Sequence, residues 1–284
     1  MFLLLLPMTR LQTSFVSLCL GLYSGFCLPA TALAESPAKS TNAPAGYVWP
    51  YDNKTTKELS ASAPVFAEMF YDEDMMMSIP SALFMNDLSD KTNFIVLSCH
   101  LPSKFLAVVD NLATKDCFDR QVFYMIVHHI VRDRPQMYLN GHTVVKPYMY
   151  KKVLAAVDQA RGDGAPVYLP ITETGHNKGV YNYTVSIPAS PMGRLEKFDD
   201  RAHVRLLEYL APQTTLTFSG PFEDQLLTHK RVVSRVIELD PWFGDNMPYS
   251  FTWTPSFNAA GAVLVVERQD KGLMAFGEIK LAPK

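Results

Sequence analysis

Seven histidines are the side chains of this chain best suited to acid–base or metal chemistry, and the densest polar cluster surrounds two of them. His128 and His129 are followed shortly by Asp133, which lies between two arginines, and His142 comes soon after. Imidazole nitrogens and carboxylates bind zinc, and they also exchange protons with a substrate at neutral pH. The cluster predicts a hydrolytic site, with or without zinc. The alternative, which we favour, is a sheet edge at which Asp133 forms an ion pair with an arginine.

Two further groups of residues are candidates for binding a partner. Glu173, His176 and Lys178 lie in the polar stretch 172–178, which we predict to be a loop between two strands. Loops on rigid sheets often carry binding groups. Trp242 and Trp253 lie near turns towards the end of the chain, and tryptophan is a frequent anchor of protein interfaces. The simpler interpretation, which we favour, is a solvated loop and two indole rings in the core.

Methionines offer a third kind of chemistry. Met75 to Met77 form a run of three directly after three acidic residues, and Met69 and Met85 flank it. Thioethers bind Cu(I), so this stretch is a candidate copper-handling patch. The alternative is that flexible methionine side chains fill gaps in the core. We favour the core, because the neighbouring carboxylates are hard ligands that do not share the preference of thioethers.

Cys99 and Cys117 are predicted to form a disulfide. The other two of the four cysteines lie in a predicted export signal, so these two remain in the mature chain. In an oxidising compartment one disulfide is the expected state. Closing the loop of 17 intervening residues is worth about 3 kcal/mol. The alternative, a Cys99–His100 nucleophile pair, is disfavoured because adjacent residues of a strand point to opposite faces.

Residues 1–34 have the pattern of a bacterial export signal. Arg10 supplies the positive flank, residues 15–28 the apolar core and Ala32-Leu33-Ala34 the cleavage site. The signal contains one of the 26 basic and none of the 28 acidic residues, so the mature net charge is 25 − 28 = −3. This balance does not support nucleic-acid binding, which usually needs a basic face. Residues 35–57 are polar and proline-containing, and we predict a flexible lead there.

The predicted fold is organised around residues 121–131. Both alternating faces of this run are largely apolar, as in a strand that is covered on both sides, so we predict a central strand. Residues 94–97 and 105–109 predict neighbouring strands. Asn140-Gly141 predicts the type I′ turn of a hairpin over residues 137–145.

Helices are predicted at 62–77, 148–161 and 195–209 from apolar residues spaced three and four apart. Further strands are predicted at 166–171, 179–187, 214–218, 232–239, 249–253, 262–267 and 273–279. The fold class is therefore α+β: β-rich, with mainly antiparallel sheets and two or three helices. The proline-rich stretch 188–193 predicts a division into an α+β domain at 58–190 and a β-rich domain at 194–284.

No motif of a large enzyme family is present. The chain lacks His-Glu-x-x-His, Cys-x-x-Cys, Gly-x-Ser-x-Gly and the glycine-rich phosphate loops. We therefore predict a noncatalytic exported protein of the bacterial envelope, periplasmic or secreted, that binds or helps to assemble another envelope protein. An exported hydrolase with a His/Asp site is the first alternative and a methionine-based copper carrier the second. The sequence identifies no cofactor, and it predicts no nucleic-acid partner and no transmembrane span after signal cleavage.

Overall fold

A computed structural model describes residues 64–72, 75, 77–90, 93–102, 111–131, 133–162, 165–188, 201–216, 226–245, 247–268 and 272–282. All of them belong to one compact unit, Ser40–Lys284. The predicted export signal and flexible lead, and the strand predicted at 105–109, lie outside the described residues. Within those ranges, no helix is both long enough and apolar enough to cross a bilayer.

The described ranges contain three helices and fourteen strands. The helices are α1 (Ser78–Ser89), α2 (Lys115–His128) and α3 (Tyr150–Ala160). The first seven strands are β1 (Val65–Tyr71), β2 (Phe94–His100), β3 (Gln136–Leu139), β4 (Thr143–Val145), β5 (Val167–Tyr168), β6 (Ile171–Asn177) and β7 (Val180–Val185). The others are β8 (His203–Leu210), β9 (Gln213–Leu216), β10 (Leu226–His229), β11 (Val233–Glu238), β12 (Tyr249–Trp253), β13 (Ala259–Arg268) and β14 (Gly272–Lys280).

The first sheet has the strand order β2-β1-β3-β4. Strands β1 and β2 are parallel and connected through α1, whereas β3 runs antiparallel to β1 and forms a hairpin with β4. All residues of β1 and β2 are buried, which explains why both strands are almost continuously apolar. The predicted hairpin turn is confirmed, because Asn140 and Gly141 both have positive φ angles, 49° and 69°.

The second half of the chain is mostly antiparallel sheet. Five strands are arranged in the order β11-β8-β13-β14-β5, three in the order β12-β7-β6, and β9 pairs with β10. One hydrophobic cluster joins this part to the first sheet, and within it the rings of Phe66 and Phe276 stack at 5.4 Å between centroids. The α+β class with mainly antiparallel sheets is thus confirmed. Apart from Pro188, the predicted boundary lies outside the described residues.

The central strand predicted at 121–131 is wrong, because this stretch belongs to helix α2 and the turn that follows it. Thr114 caps the helix by accepting a hydrogen bond from the backbone N–H of Cys117. Buried residues recur with helical spacing, at Cys117, Arg120, Gln121 and Tyr124. Two of these four are polar, so a reading of apolar residues alone missed the helical period and found an alternating one instead.

Three other predictions are wrong for related reasons. The helix predicted at 62–77 contains strand β1 instead, since the residues of β1 lie between two other strands and are buried on both faces. The helix predicted at 195–209 is strand β8 from His203 onwards. The loop predicted at 172–178 is mostly β6, an outer strand whose exposed residues have a loop-like composition. Helix α1 was not predicted, whereas α3 confirms the helix predicted at 148–161.

Candidate functional site

Two of the histidines in the predicted hydrolytic cluster lie close together, with 6.2 Å between the ring centroids of His128 and His142. Their Nε2 atoms do not face a common centre. His128 Nε2–H donates to the carbonyl of Gly141 at 2.6 Å, and His142 Nε2–H donates to the carbonyl of Leu273 at 2.9 Å. Burial lowers the pKa of both imidazoles, which favours the neutral form. Each ring therefore fixes a backbone segment through one of its nitrogens.

The other two members of the predicted cluster are exposed. His129 has a left-handed backbone conformation, with φ 53°, directly after α2. Asp133 forms an ion pair with Lys146 at 2.7 Å and lines a largely apolar groove of about 380 Å³. In the part of the chain that is described, no group of three or more His, Cys, Asp or Glu side chains is arranged to hold a metal ion.

The predicted binding residues of the polar stretch lie on an exposed hairpin. Glu173 and His176 are exposed on β6, and Lys178 occupies the turn to β7 with φ 49°. The His176 ring stacks on the ring of Tyr181, with 4.1 Å between their centroids. All three side chains are therefore accessible to solvent.

The two tryptophans proposed as anchors are in the core. Trp242 and Trp253 are each 2% exposed and belong to the same hydrophobic cluster. Trp253 Nε1–H donates to the buried carboxylate of Glu208 at 3.0 Å. This placement matches the alternative interpretation, packing in the core.

The cysteines and two of the methionines singled out in the sequence are buried as well. Cys99 and Cys117 are present as free thiols, both buried. Burial, and then a hydrogen bond with the thiol of Cys117, raises the pKa of Cys99 well above its usual value. The two sulfur atoms are therefore neighbours, although the disulfide itself stays a prediction. Met69 and Met85 pack in a hydrophobic cluster, whereas Met75 is partly exposed and Met76 lies outside the described residues.

A different set of polar side chains meets where β1 and β2 end. Tyr71 and His100 are paired residues at the carboxyl ends of these parallel strands. The Tyr71 hydroxyl lies 2.6 Å from His100 Nε2 and 2.8 Å from His229 Nδ1, and His229 Nε2 lies 2.7 Å from the hydroxyl of Thr215. Tyr71, His100 and His229 are at most 1% exposed. The result is a buried chain of hydrogen bonds along which a proton can be passed.

Next to this chain lies a buried ion pair. Arg134 Nη1 donates to Asp72 Oδ2 at 2.7 Å and to the carbonyl of Pro102 at 3.0 Å. The side chains of Asp72 and Arg134 are only 4% and 3% exposed. Asp72 follows β1 directly, and Arg134 precedes β3, which begins at this same end of β1. We call Tyr71, Asp72, His100, Arg134 and His229 together the polar edge.

Several buried atoms at this end of the sheet have no hydrogen-bond partner. They are Arg134 Nε and Nη2, Asp72 Oδ1 and the hydroxyl of Ser78, the first residue of α1. Native proteins satisfy most of their buried polar atoms, so an unsatisfied group calls for an explanation. A bound ligand is one such explanation, and it fits the location, because open α/β sheets bind ligands outside the carboxyl ends of their strands where the strand order reverses. Here β2 and β3 flank β1 on opposite sides.

The polar edge was missed from the sequence because Tyr71 and Asp72 had been assigned to a helix. One signal was available. In both β1 and β2, an apolar run of strand residues ends in a polar or ionisable side chain, Tyr71-Asp72 in one and His100 in the other. Two parallel strands bring such residues to one edge. His229 and Arg134 carry no comparable signal, since their proximity depends on long-range topology.

A second buried polar cluster lies between β1, α2 and β13, and we call it the inter-sheet network. Arg120 directs Nε and Nη2 at the two carboxylate oxygens of Glu68 and also donates to Glu267 at 2.9 and 3.0 Å. The Tyr124 hydroxyl donates to Glu68 as well. Arg205 approaches the network from β8 and donates to Glu267 at 3.0 Å. The charges of this network are paired with one another inside the protein.

The first half of the chain is a four-stranded mixed sheet with helices connecting its strands. A parallel β1-α1-β2 unit is followed by α2, an antiparallel hairpin and α3, and β1 lies between β2 and β3. The fold alone does not define an activity.

Comparison with known proteins supports the fold only. No family model matches this chain, and no curated protein matches it. It is similar in structure to the protein AGR_C_4864 from Agrobacterium tumefaciens, with a TM-score of 0.61, 17% identity, and coverage of 78% of this chain and 99% of that one. It is also similar to HBP35 of Porphyromonas gingivalis, with a TM-score of 0.50, 12% identity, and coverage of 78% and 76%.

Proposed function

We propose that this chain is an exported protein of the bacterial envelope that binds another envelope protein without catalysing a reaction. One observation carries the binding part of the proposal, the unused hydrogen-bonding capacity of the polar edge. The noncatalytic part is supported by the start of α1, which has no Cys-x-x-Cys pair. The motif Cys-x-x-Cys depends on a helix N-terminus, which lowers the pKa of the attacking thiol. From Asp72 to Ser81, this chain has three methionines and no cysteine.

Cys99 and Cys117 do not replace the missing pair. A catalytic thiol needs a lowered pKa and access to its substrate. Cys99 is buried and its pKa is raised, so its reactive thiolate form is suppressed. These two cysteines fit a structural role, and in an exported protein that role is the predicted disulfide.

The polar edge supports binding. It combines a guanidinium group, a carboxylate and hydroxyl groups at the end of the sheet where such folds bind ligands, and part of its hydrogen-bonding capacity is unused. The export pattern of residues 1–34 supports the envelope location. Both structurally similar proteins come from bacteria, which agrees with a bacterial origin.

Thiol–disulfide exchange with a small aromatic disulfide tests the noncatalytic part of the proposal. We expect no turnover above the uncatalysed rate. The double variant Met75→Cys/Ser78→Cys introduces a Cys-x-x-Cys motif at the start of α1. We expect this variant to catalyse thiol–disulfide exchange. Activity of this variant would show that the assay detects thiol–disulfide exchange and that the fold can support it. Turnover by the unmodified protein would contradict the proposal.

Affinity purification of the tagged protein from solubilised bacterial envelopes, followed by mass spectrometry, tests the partner. We expect one envelope protein in a stoichiometric ratio, at a level that persists after washing with salt. Stoichiometric zinc together with hydrolytic activity would support the hydrolase instead, and stoichiometric copper would support the carrier.

A further inference from the structure

Arg134 has a pair of parallel donors without a hydrogen-bond partner. The Nε–H and Nη2–H groups of an arginine lie on one edge of the planar guanidinium and point the same way, so together they match the two oxygens of a carboxylate. In Arg134, Nη1 makes all the hydrogen bonds, to Asp72 and Pro102, whereas Nε and Nη2 are buried without a partner.

Arg120 shows what the same donor pair does when a carboxylate is present. Its Nε and Nη2 atoms face the two oxygens of Glu68, and the contact through Nη2 measures 2.6 Å. Both arginines have side chains that are at most 3% exposed. The two arginines are thus equally buried, but only Arg120 has hydrogen-bond partners for its Nε and Nη2 donors. A buried donor without a partner lowers the stability of the folded protein, and the loss is larger when the donor belongs to a charged group.

We propose that the Nε/Nη2 edge of Arg134 binds a carboxylate group supplied by a ligand. This proposal deepens the binding function proposed above, on which it rests, by naming the group of the ligand that is recognised. The carboxylate belongs either to a small molecule or to a protein partner, through a side chain or a chain terminus. In both cases the carboxylate of the ligand would accept two hydrogen bonds from Arg134, as the carboxylate of Glu68 does from Arg120.

The charge of the site favours a carboxylate over a phosphate. Arg134 is already paired with Asp72, so the site is close to neutral before the ligand arrives. A phosphate group carries between one and two negative charges and would meet more repulsion from Asp72 than a singly charged carboxylate does. The geometry agrees, because a planar carboxylate matches the planar donor pair.

The neighbouring unsatisfied atoms suggest what else the ligand presents. Asp72 Oδ1 has no donor. A ligand with an N–H group near its carboxylate, as in an N-acylated amino acid or the end of a peptide, could donate to Oδ1 while it accepts from Arg134. The hydroxyl of Ser78 is also unpartnered at the start of α1.

Isothermal titration of the purified exported protein tests the proposal with a matched pair of probes. N-acetylglycine presents both a carboxylate and an N–H group, and N-acetylglycinamide differs only by the loss of the charge. We expect saturable binding of the acid and at least about tenfold weaker binding of the amide, a ratio typical of one lost charge-assisted hydrogen-bonded pair. Inorganic phosphate should bind more weakly than the acid.

Two variants assign the effect to this site. Arg134→Lys keeps the charge opposite Asp72 but lacks the donor pair, so it should bind the acid at least about tenfold more weakly. Asp72→Asn removes the repulsion from the nearby carboxylate, and it should bind acetate, a carboxylate with no N–H group to donate to Oδ1, more tightly than the parent does. A gain of affinity cannot come from misfolding. Lys146→Gln, which removes an exposed charge of the Asp133 ion pair, is the control and should bind as the parent does.

Two peptides distinguish the sources of the carboxylate. One ends in a free carboxylate, and the other is amidated and carries a single internal aspartate. Tighter binding of either peptide than of N-acetylglycine assigns the group to a protein, and tighter binding of N-acetylglycine assigns it to a small molecule. Equal affinity for acid and amide, unchanged affinity of Arg134→Lys, or preferred binding of phosphate would overturn the proposal. None of these results would alter the thiol-exchange test of the proposed function.

Discussion

Two buried arginines of this protein have the same charge and nearly the same exposure, yet their surroundings differ. Arg120 is enclosed by two carboxylates, which together use all of its donor edges. Arg134 is held by one carboxylate and one carbonyl on a single nitrogen, and its other two donor groups are unused. Burial of a charge therefore does not by itself indicate a function. The unused hydrogen-bonding capacity of Arg134 separates a candidate binding site from a structural one.

The inter-sheet network has a clear structural task. Glu68 lies on β1, Arg120 on α2 and Glu267 on β13, so the network joins the first sheet to the five-stranded sheet through the helix between them. Burial alone would lower the pKa of Arg120, but Glu267 and Glu68 outweigh it and raise that pKa. The arginine therefore remains charged between its two carboxylates.

Substitution of Arg120 should produce the largest effect. In Arg120→Gln, two buried carboxylates lose their main counter-charge, and removal of one partner from a buried ion pair typically costs about 3–5 kcal/mol. We expect the free energy of unfolding in urea to fall by that amount. Lys115→Gln, in the exposed ion pair with Asp119 on the same helix, is the control and should leave the urea midpoint unchanged. A midpoint for Arg120→Gln close to that of the control would remove the distinction between the two arginine sites.

The cysteine pair should have the next largest effect, because it connects the two regions. Cys99 precedes His100 of the polar edge, and Cys117 lies one turn before Arg120 on α2. If the predicted disulfide forms on export, reduction should lower the unfolding free energy by about 3 kcal/mol in the chain-entropy model. Thiol titration of the unreduced protein after denaturation checks the premise. Two titratable thiols there would exclude the disulfide.

Lowering the pH should destabilise the protein through the inter-sheet network, gradually and by less than the two changes above. Burial alone would raise the pKa of Glu267, but Arg120 and Arg205 outweigh it and hold that pKa below its ordinary value. The folded state thus binds its proton less readily than the unfolded state does. The stabilisation is complete above about pH 4.3, the usual pKa of an unfolded glutamate, and is lost as the pH falls through the folded pKa.

A series of urea unfolding curves between pH 6 and pH 3 measures this decline. Glu267→Gln cannot ionise, so the stability of that variant should depend less on pH in the same range. An equally steep decline in the variant would assign the acid sensitivity to other groups.

The sequence predicted the β-rich second half of the fold better than it predicted the first half. Strand β12 begins and ends at the predicted residues, and β13 and β14 extend the predicted strands by a few residues. These strands have alternating apolar and polar residues or are bounded by turn residues, so the local sequence pattern is sufficient to predict them. In the first half, β1 was predicted as a helix and α2 as a strand. Both are largely buried elements, and short apolar runs do not reveal whether their period is that of a strand or of a helix.

The functional residues were harder to predict for a related reason. The histidine cluster was chosen because its members are close in sequence, and the structure instead satisfies His128 and His142 with backbone carbonyls. The polar edge is assembled from β1, β2, β10 and the residues before β3. Only strand pairing reveals that these segments meet. Its unsatisfied atoms are visible only in three dimensions.

The same substitution at both arginines provides the most sensitive comparison, and its effect at Arg134 should be the smallest. Arg134→Lys retains the ion pair with Asp72 and removes two donors that no group of the described protein accepts. We expect the unfolding free energy to change by less than about 1 kcal/mol, because loss of an unpartnered buried donor also removes its desolvation cost. Arg120→Lys, by contrast, loses the bidentate contact with Glu68 and should cost about 2–3 kcal/mol.

Paired urea titrations of the two lysine variants, with and without N-acetylglycine, measure this difference. The ligand should raise the midpoint of the parent protein and of Arg120→Lys, since both retain the donor pair of Arg134, but not that of Arg134→Lys. If instead Arg134→Lys costs as much as Arg120→Lys in the absence of ligand, then the unused donors of Arg134 contribute to folding, and the polar edge is structural like the inter-sheet network.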